Sequence, residues 1–366
     1  MFARPIKVAY LLEQCWHRVP GGTAVAAVGL CESLNKRDDI ELIGLAAKHN
    51  KEPSLRPPSG LPIVHSSLPR QVLYKSWAFL KSPSIDRLAA CPDLVHASGG
   101  AIPATQLPLI ATIHDLAWMH EPAWFPSRGR RFAQAWLKNS RNAKRIICPS
   151  KATFNDLVSV GFDPQKIQVI PLGVDHKEVS NEEVSMLRKK HDLQSPFVLW
   201  VGTVEPRKNL ATLVDALLEI PDLILVLVGP TGWGVDLQKI LEPVKERVRI
   251  IGQVDDKTKN IWLKAADVFC FPSLFEGFGL PVGEAMAHGT PVVTSATTAT
   301  AEVVGDAGLL IDPKNPSEIS DAISSILNDR DLASELSKKG QLRSKELSWE
   351  SSAELTVSVY REVLES

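Results

Sequence analysis

Five cysteines in 366 residues, at positions 15, 31, 91, 148 and 270, are too scattered for a metal site, and their odd number argues against a fully paired disulfide framework. A reducing compartment is expected. No apolar run approaches the length of a membrane span, and the start of the chain, with Arg4, Lys7 and one short apolar stretch, lacks the build of a signal peptide. Both absences point to a cytoplasmic protein. There is no short-period repeat, so a repeat array is not expected. Nor is there an excess of either charge sign, because the formal net charge is −1.

The chain does have an ordinary globular composition, with 44% hydrophobic and 23% charged residues, and enough length for two domains with separate cores. Its charge is unevenly divided. Residues 1–175 carry 21 Lys and Arg against 13 acids, while the remainder carries 20 against 29. A positive half suits an anionic acceptor or membrane surface, and is equally compatible with solubility alone. Short apolar runs at 6–12, 40–46, 61–66, 93–97, 109–113, 145–148 and 166–170 read as buried strands separated by helical stretches. The segment 171–175, reading Pro-Leu-Gly-Val-Asp, is a linker that puts a domain boundary near residue 175. Further strands are expected at 197–201, 223–228, 248–251, 267–271 and 309–311, and the tail is helical, ending in a helix over 349–364. Repeated βα alternation of this kind predicts an α/β fold with parallel sheets covered by helices on both faces.

One stretch organises the rest. Residues 267–293 read DVFCFPSLFEGFGLPVGEAMAHGTPVV: a strand, a glycine-bearing loop, a helix and a second strand. Gly277 and Gly279 permit backbone angles and close ligand approach that a side chain would forbid. Pro281 suits the first turn of a helix and Gly289 its end. Glu276 and Glu284 then lie at the carboxyl end of a strand and early in the next helix, where α/β sheets hold ligands. Free amides there favour phosphate, and two carboxylates favour sugar hydroxyls. The plainer alternative is a tight turn with Glu284 as an ordinary helix-start acid.

Other segments repeat the arrangement. Gly202-Thr-Val-Glu-Pro-Arg207-Lys208-Asn209 follows a strand and opens a helix, placing two cations beside a helix N-terminus, a combination suited to a diphosphate. Gly21 and Gly22 sit at the first strand-to-helix turn, either as a phosphate loop or as a plain turn. His114 ends a strand, with a catalytic and a structural reading both open. Trp118, His120, Trp124 and Phe125 form an aromatic loop, either an acceptor platform or a surface loop tucking its rings inward. Between Ser127 and Lys151 there are eight Lys or Arg and no acid. On a helix, Arg131, Lys138, Arg141 and Arg145 would share one stripe, read as a solvated face or as a contact for an anionic membrane or a phosphorylated acceptor. No nucleic-acid-binding motif accompanies it.

The run from Glu276 to Glu284, with its Gly-Phe-Gly-Leu-Pro core continuing into Glu284-Ala-Met-Ala, resembles the signature of the family 4 glycosyltransferases, which are retaining and nucleotide-sugar-dependent. The resemblance covers most of the chain and is strongest over 197–313. It implies two facing Rossmann-like domains, the GT-B fold, with an interdomain cleft. Residues 1–175 would form the acceptor-side domain and 176–349 the nucleotide-sugar-binding domain, with the helix at 350–366 crossing back to the first. It further implies that Arg207 and Lys208 hold the donor diphosphate as it leaves, together with the loop at Gly202 and the segment Gly277, Phe278, Gly279 and Leu280. Glu284 would hold the ribose, Glu276 the transferred sugar, His114 the donor sugar, and Gly21 and Gly22 the region between diphosphate and acceptor. His114, Arg207, Lys208 and Glu276 are the catalytic candidates. The segment 301–306 and the His114-Asp115-Leu run look most like mannosyltransferases, which leans the donor toward GDP-mannose, while the resemblance leaves the acceptor open among a glycan, a lipid-linked and a small molecule.

Metal-dependent transferases more often carry Asp-x-Asp at a strand end. The only such triplet here, Asp329-Arg-Asp331, lies between helical segments, so neither a catalytic metal nor a cofactor is expected. Two other classes are a nucleotide-sugar epimerase on the same architecture, against which the Glu276–Glu284 run argues, and a non-catalytic sugar-nucleotide-binding subunit, against which the intact Arg207, Lys208, Glu276 and Glu284 set argues.

Overall fold

In the computed structural model, which describes residues 4–86, 88 and 91–365, the alternating runs form two wholly parallel sheets. The chain divides into two compact units, Met1–Gly173 with Trp349–Ser366, and Val174–Ser348.

The first unit holds β1 (Ile6–Leu11), β2 (Ile40–Lys48), β3 (Ile63–Pro69), β4 (Leu94–Ala97), β5 (Leu109–Thr112), β6 (Arg145–Cys148) and β7 (Ile167–Val169), in the order β3-β2-β1-β4-β5-β6-β7. Parallel pairing requires crossovers that cover both faces, and two buried clusters accordingly flank the sheet. The final helix, Trp349–Glu365, lies against one face, contributing Ala353, Val357, Tyr360 and Val363 to the cluster that holds Tyr10 and Ile110. Trp349 presses so closely on Gly29 and Gly173 that neither position has space for a Cβ. A buried polar bridge fixes the helix further: His96 Nδ1 is 2.7 Å from the Tyr360 hydroxyl, and His96 Nε2 is 2.8 Å from Thr112 Oγ1.

That bridge makes stability pH-dependent. Burial pulls the His96 pKa down to about 3, against about 6.5 in an unfolded chain. Between those values the unfolded state binds the extra proton, so stability is full above about 6.5 and falls as the pH drops toward 3. The urea midpoint should therefore be lower at pH 5 than at pH 7, and His96→Gln should flatten that dependence. Equal slopes for wild type and variant would contradict this reading.

The second unit holds β8 (Phe197–Val201), β9 (Ile224–Val228), β10 (Val248–Gly252), β11 (Val268–Phe271), β12 (Val292–Ser295) and β13 (Gly308–Ile311), ordered β10-β9-β8-β11-β12-β13. The strand order reverses direction between β8 and β11, as it does between β1 and β4 in the first unit. Parallel sheets bind ligands beyond the carboxyl ends of the strands at such a reversal, since the two connections leave toward opposite faces and open a crevice.

Candidate active site

The loops beyond β8 and β11 meet at the reversal in the second sheet. After β8 the chain runs through Gly202 to a single 3₁₀ turn, Pro206–Lys208, and then into the helix Leu210–Leu218. Asn209 joins them in the left-handed region at φ 56°, and its amide donates to the carbonyls of Pro272 (3.0 Å) and Pro313 (2.6 Å). The Leu274 amide donates to the Arg207 carbonyl at 2.8 Å. These bonds lock the Arg207-Lys208 turn onto the loop that follows β11.

That loop carries Glu276, and the three charged side chains meet. Lys208 Nζ lies 2.5 Å from Glu276 Oε1, and Arg207 lies 3.0 Å from Glu276 Oε2 and 2.8 Å from Glu205. All three are largely withdrawn from solvent, and Lys208 also sits over the Phe271 ring, 4.6 Å from its centroid. Burial alone would push the Glu276 carboxyl up, but Lys208 and Arg207 outweigh it and hold the group below the usual carboxylate range. Burial, reinforced by repulsion from Arg207, pulls the Lys208 ammonium below its ordinary value. The site thus combines two low-dielectric cations with two buried anions, Glu205 on Arg207 and Glu276 shared by both cations, so these carboxylates would compete with a phosphate for the same donors.

Glycine is required where the second loop turns into its helix. Gly279 has φ 100°, and a Cβ there would lie 2.5 Å from Thr300 Cγ2. Phe278 and Leu280 flank it, both buried, with Gly277 preceding them. The helix is Leu280–Ala287, with Pro281 in its first turn, and Gly289 follows it at φ 74°. Glu284 lies in this helix, 13% exposed, and its Oε1 is 2.7 Å from Lys259 Nζ. Burial pushes its carboxyl up, while Lys259 draws it down. Gly202, by contrast, has ordinary backbone angles, and the tight position is its neighbour Gly229. A Cβ on Gly229, at φ 136°, would run into the Gly202 carbonyl.

Gly21, Gly22 and His114 belong to the first unit. Gly21 caps the helix Gly22–Asn35 at φ −92°, and a Cβ there would meet nothing within 4 Å. The turn itself therefore does not demand glycine at 21. His114 follows β5, and its Nε2 donates to the Ser98 carbonyl at 2.9 Å, which leaves Nδ1 as the acceptor. Burial lowers its pKa, favouring the neutral ring. Gly99, at φ 156°, makes room for this ring, since a Cβ there would lie 3.1 Å from it.

One expectation needs correction. The basic stripe does not exist as one helical face, because the helix Ser127–Ser140 ends before Arg141. Arg141 instead donates to the carbonyls of Val160 (2.6 Å) and Gly161 (2.8 Å) and lies over Phe162, while Arg145 is on β6 and pairs with Glu362 at 3.5 Å. Only Arg131 and Lys138 stay on an exposed helix face. The loop aromatics also divide: Trp118 packs on the core, and His120 pairs with Asp156 at 2.9 Å. Asp329 is a helix cap, accepting from the Asp331 and Leu332 amides. Among the described residues, no group of three His, Cys, Asp or Glu side chains is placed to hold a metal ion.

Sequence reasoning passed over Glu205 and Asn209, although both flank the Arg-Lys pair that it singled out. Lys259 had no signal at all, since it lies 25 residues before Glu284 on another helix.

The family profile described as "Glycosyl transferases group 1" matches residues 183–343, and that described as "Glycosyltransferase Family 4" matches 20–178. The O-antigen chain mannosyltransferase B of Escherichia coli is 32% identical over 265 residues, 69% of this chain and 70% of that one. The chain belongs to the GT-B nucleotide-sugar glycosyltransferases. Another relative of this glycosyltransferase, the MMP alpha-(1->4)-mannosyltransferase of Mycolicibacterium hassiacum, is 28% identical over 279 residues, 70% of this chain and 66% of its own. In fold, the glycosyltransferase is similar to the sucrose-phosphate synthase of Thermosynechococcus elongatus (TM-score 0.78, 23% identity, 99% of each chain). It is similar too to Anabaena HepE in complex with UDP-glucose (TM-score 0.74, 19% identity, 98% of this chain and 100% of that one). The enzyme therefore transfers a sugar from a nucleoside-diphosphate donor to an acceptor.

Proposed function

We propose that this glycosyltransferase is a retaining family 4 enzyme that moves a hexose, mannose by preference, to a glycan or lipid-linked acceptor. The observation that carries the reading is the convergence of Arg207, Lys208 and Glu276 at the reversal of the second sheet. The mannose preference is supported by mannosyltransferases among its relatives, those of Escherichia coli and Mycolicibacterium hassiacum. In the reaction, the C1–O bond of the donor breaks and its electron pair goes to the departing phosphate. The acceptor oxygen bonds to C1 from the same side, and the acceptor proton passes to that phosphate. Arg207 and Lys208 stabilise charge as it develops on the leaving group, which is where fixed electrostatics lowers a barrier most. Glu276 takes sugar hydroxyls, Glu284 takes the ribose, and His114, with Nδ1 as acceptor, takes a hydroxyl of the donor sugar. The first unit is assigned to the acceptor and the second to the nucleotide.

The test is a thermal-shift screen of UDP, GDP and ADP. A ligand that binds only the folded state stabilises it by about 2.7 kcal/mol at a hundredfold excess over its dissociation constant, so one base should stand apart, and GDP is expected. Transfer should survive EDTA, because Arg207 and Lys208 already supply the counter-charge for a diphosphate. Loss of activity in EDTA with recovery in Mg²⁺ would refute that assignment, and a screen in which UDP or ADP stood apart would refute the GDP preference.

The first unit also carries an amphiphilic patch suited to anionic lipid. Val72, Phe79 and Leu80 are 48%, 55% and 73% exposed, and with Phe132 they line an open groove of about 540 Å³ flanked by Lys75, Arg128 and Arg131. Apolar side chains ringed by cations match an anionic bilayer surface. Among the described residues no helix is long and apolar enough to cross a membrane. The wild type should float with phosphatidylglycerol vesicles at low salt and detach at high salt. Phe79→Ser with Leu80→Ser should abolish flotation, and equal flotation of both proteins would remove the patch from the account.

A further inference from the structure

We infer that Lys259 is a positioning residue for the donor site, orienting Glu284 so that one carboxylate oxygen faces the nucleotide. The inference rests on the reading of Glu284 as a donor contact. Its geometry is independent of that reading. Lys259 stands on the helix Asp256–Ala265, which precedes β11, and reaches across to the helix that follows β11. Its Nζ is 2.7 Å from Glu284 Oε1 and 3.0 Å from Asp256 Oδ1 on its own helix. Asp256 is engaged in turn by Lys177. Both members of the central pair are mostly buried, with Lys259 19% and Glu284 13% exposed.

Two consequences follow from this chain of alternating charges. A carboxylate withdrawn from water on a helix side chain has several rotamers open to it, and a single charge-assisted bond to Oε1 selects one of them. That bond leaves Oε2, for which the structure gives no hydrogen bond among the described residues, as the acceptor for a hydroxyl pair. Lys259 is itself held by Asp256, so its own position does not depend on Glu284. The arrangement is that of a support for a binding group. Oε2 is not among the fully buried polar atoms that lack a partner, so it is open to solvent and can be reached by a ligand hydroxyl.

The experiment is calorimetric titration of the full-length protein with GDP, UDP and ADP, using wild type, Lys259→Met, Lys259→Arg, Glu284→Gln and the Lys259→Met/Glu284→Gln double variant. For the nucleotide the wild type binds, Lys259→Met should weaken affinity about tenfold, the scale of one charge-assisted hydrogen bond. Lys259→Arg should restore most of it. In the Glu284→Gln background, Lys259→Met should cost nothing further, because Lys259 acts through Glu284. If Lys259→Met binds as the wild type while Glu284→Gln is weakened, Lys259 is only a structural partner and the inference fails. If the two losses multiply, Lys259 touches the nucleotide itself and the inference fails in another way. If Glu284→Gln binds as the wild type, the donor reading of Glu284 has failed, and this inference goes with it. Should Lys259→Met not fold, Lys259→Gln removes the charge while keeping a polar side chain, and the same comparisons apply.

Discussion

Replacing Lys208 with methionine is expected to lower turnover by about 10²–10³-fold, the usual effect of deleting one donor to a developing oxyanion. Methionine keeps the apolar stem against Phe271, where the ammonium now lies 4.6 Å from the ring centroid, so the change removes charge more than volume. The buried position is what makes the effect large. In water a single ammonium is worth little to a phosphate, but Lys208 sits at low dielectric and is held in place by Glu276 at 2.5 Å, so a phosphate placed against it would be bound more strongly. Arg207→Ala should act in the same direction on binding, weakening a nucleoside diphosphate much more than the nucleoside. Steady-state kinetics with the donor identified by thermal shift would check this, with circular dichroism confirming the fold. A Lys208→Met enzyme within threefold of the wild-type turnover would remove the lysine from the leaving-group role.

Glu276→Ala is expected to destabilise the second unit by about 3–5 kcal/mol, because it leaves Lys208 and Arg207 close together in a buried setting without their shared anion. Glu276→Gln keeps the shape and a hydrogen-bond acceptor and should lose less. The same substitution removes an internal competitor for the cations, so a nucleoside diphosphate should raise the melting temperature of Glu276→Gln by more than it raises that of the wild type. Sugar transfer should fall in both variants, since the carboxylate proposed to hold the sugar is gone. Melting curves with and without nucleotide distinguish the cases. Variants that melt with the wild type and show the same nucleotide shift would mean that the ion cluster neither stabilises the unit nor competes for phosphate.

Glu276 also shows where the sequence was informative and where it was silent. Short apolar runs with glycine-bearing connections revealed the parallel α/β architecture, because a strand buried on both faces has to be continuously apolar, as Phe197–Val201 and Val268–Phe271 are. Gly279 and Gly289 were readable for a similar reason: backbone at φ 100° and 74° excludes most side chains. Ionic partners left no such trace. Arg207 and Lys208 sit 69 and 68 residues before Glu276 in the chain, and only the adjacency of β8 and β11 in the sheet brings them together. The pairing of Lys259 with Glu284 depends in the same way on how two helices pack on one face. The basic stripe failed at the opposite scale. Spacing of three, four and seven residues identifies a stripe only if the helix continues, and here the chain turns at Arg141, whose guanidinium serves the carbonyls of a neighbouring loop.

A crystal structure of the enzyme with a nucleoside diphosphate tests the central claim most directly. The account predicts diphosphate oxygens within hydrogen-bond distance of the Arg207 guanidinium and the Lys208 ammonium, with the ribose hydroxyls on Glu284. A nucleotide whose diphosphate lies away from both cations, with Glu276 still paired to them and the ribose away from Glu284, would contradict it.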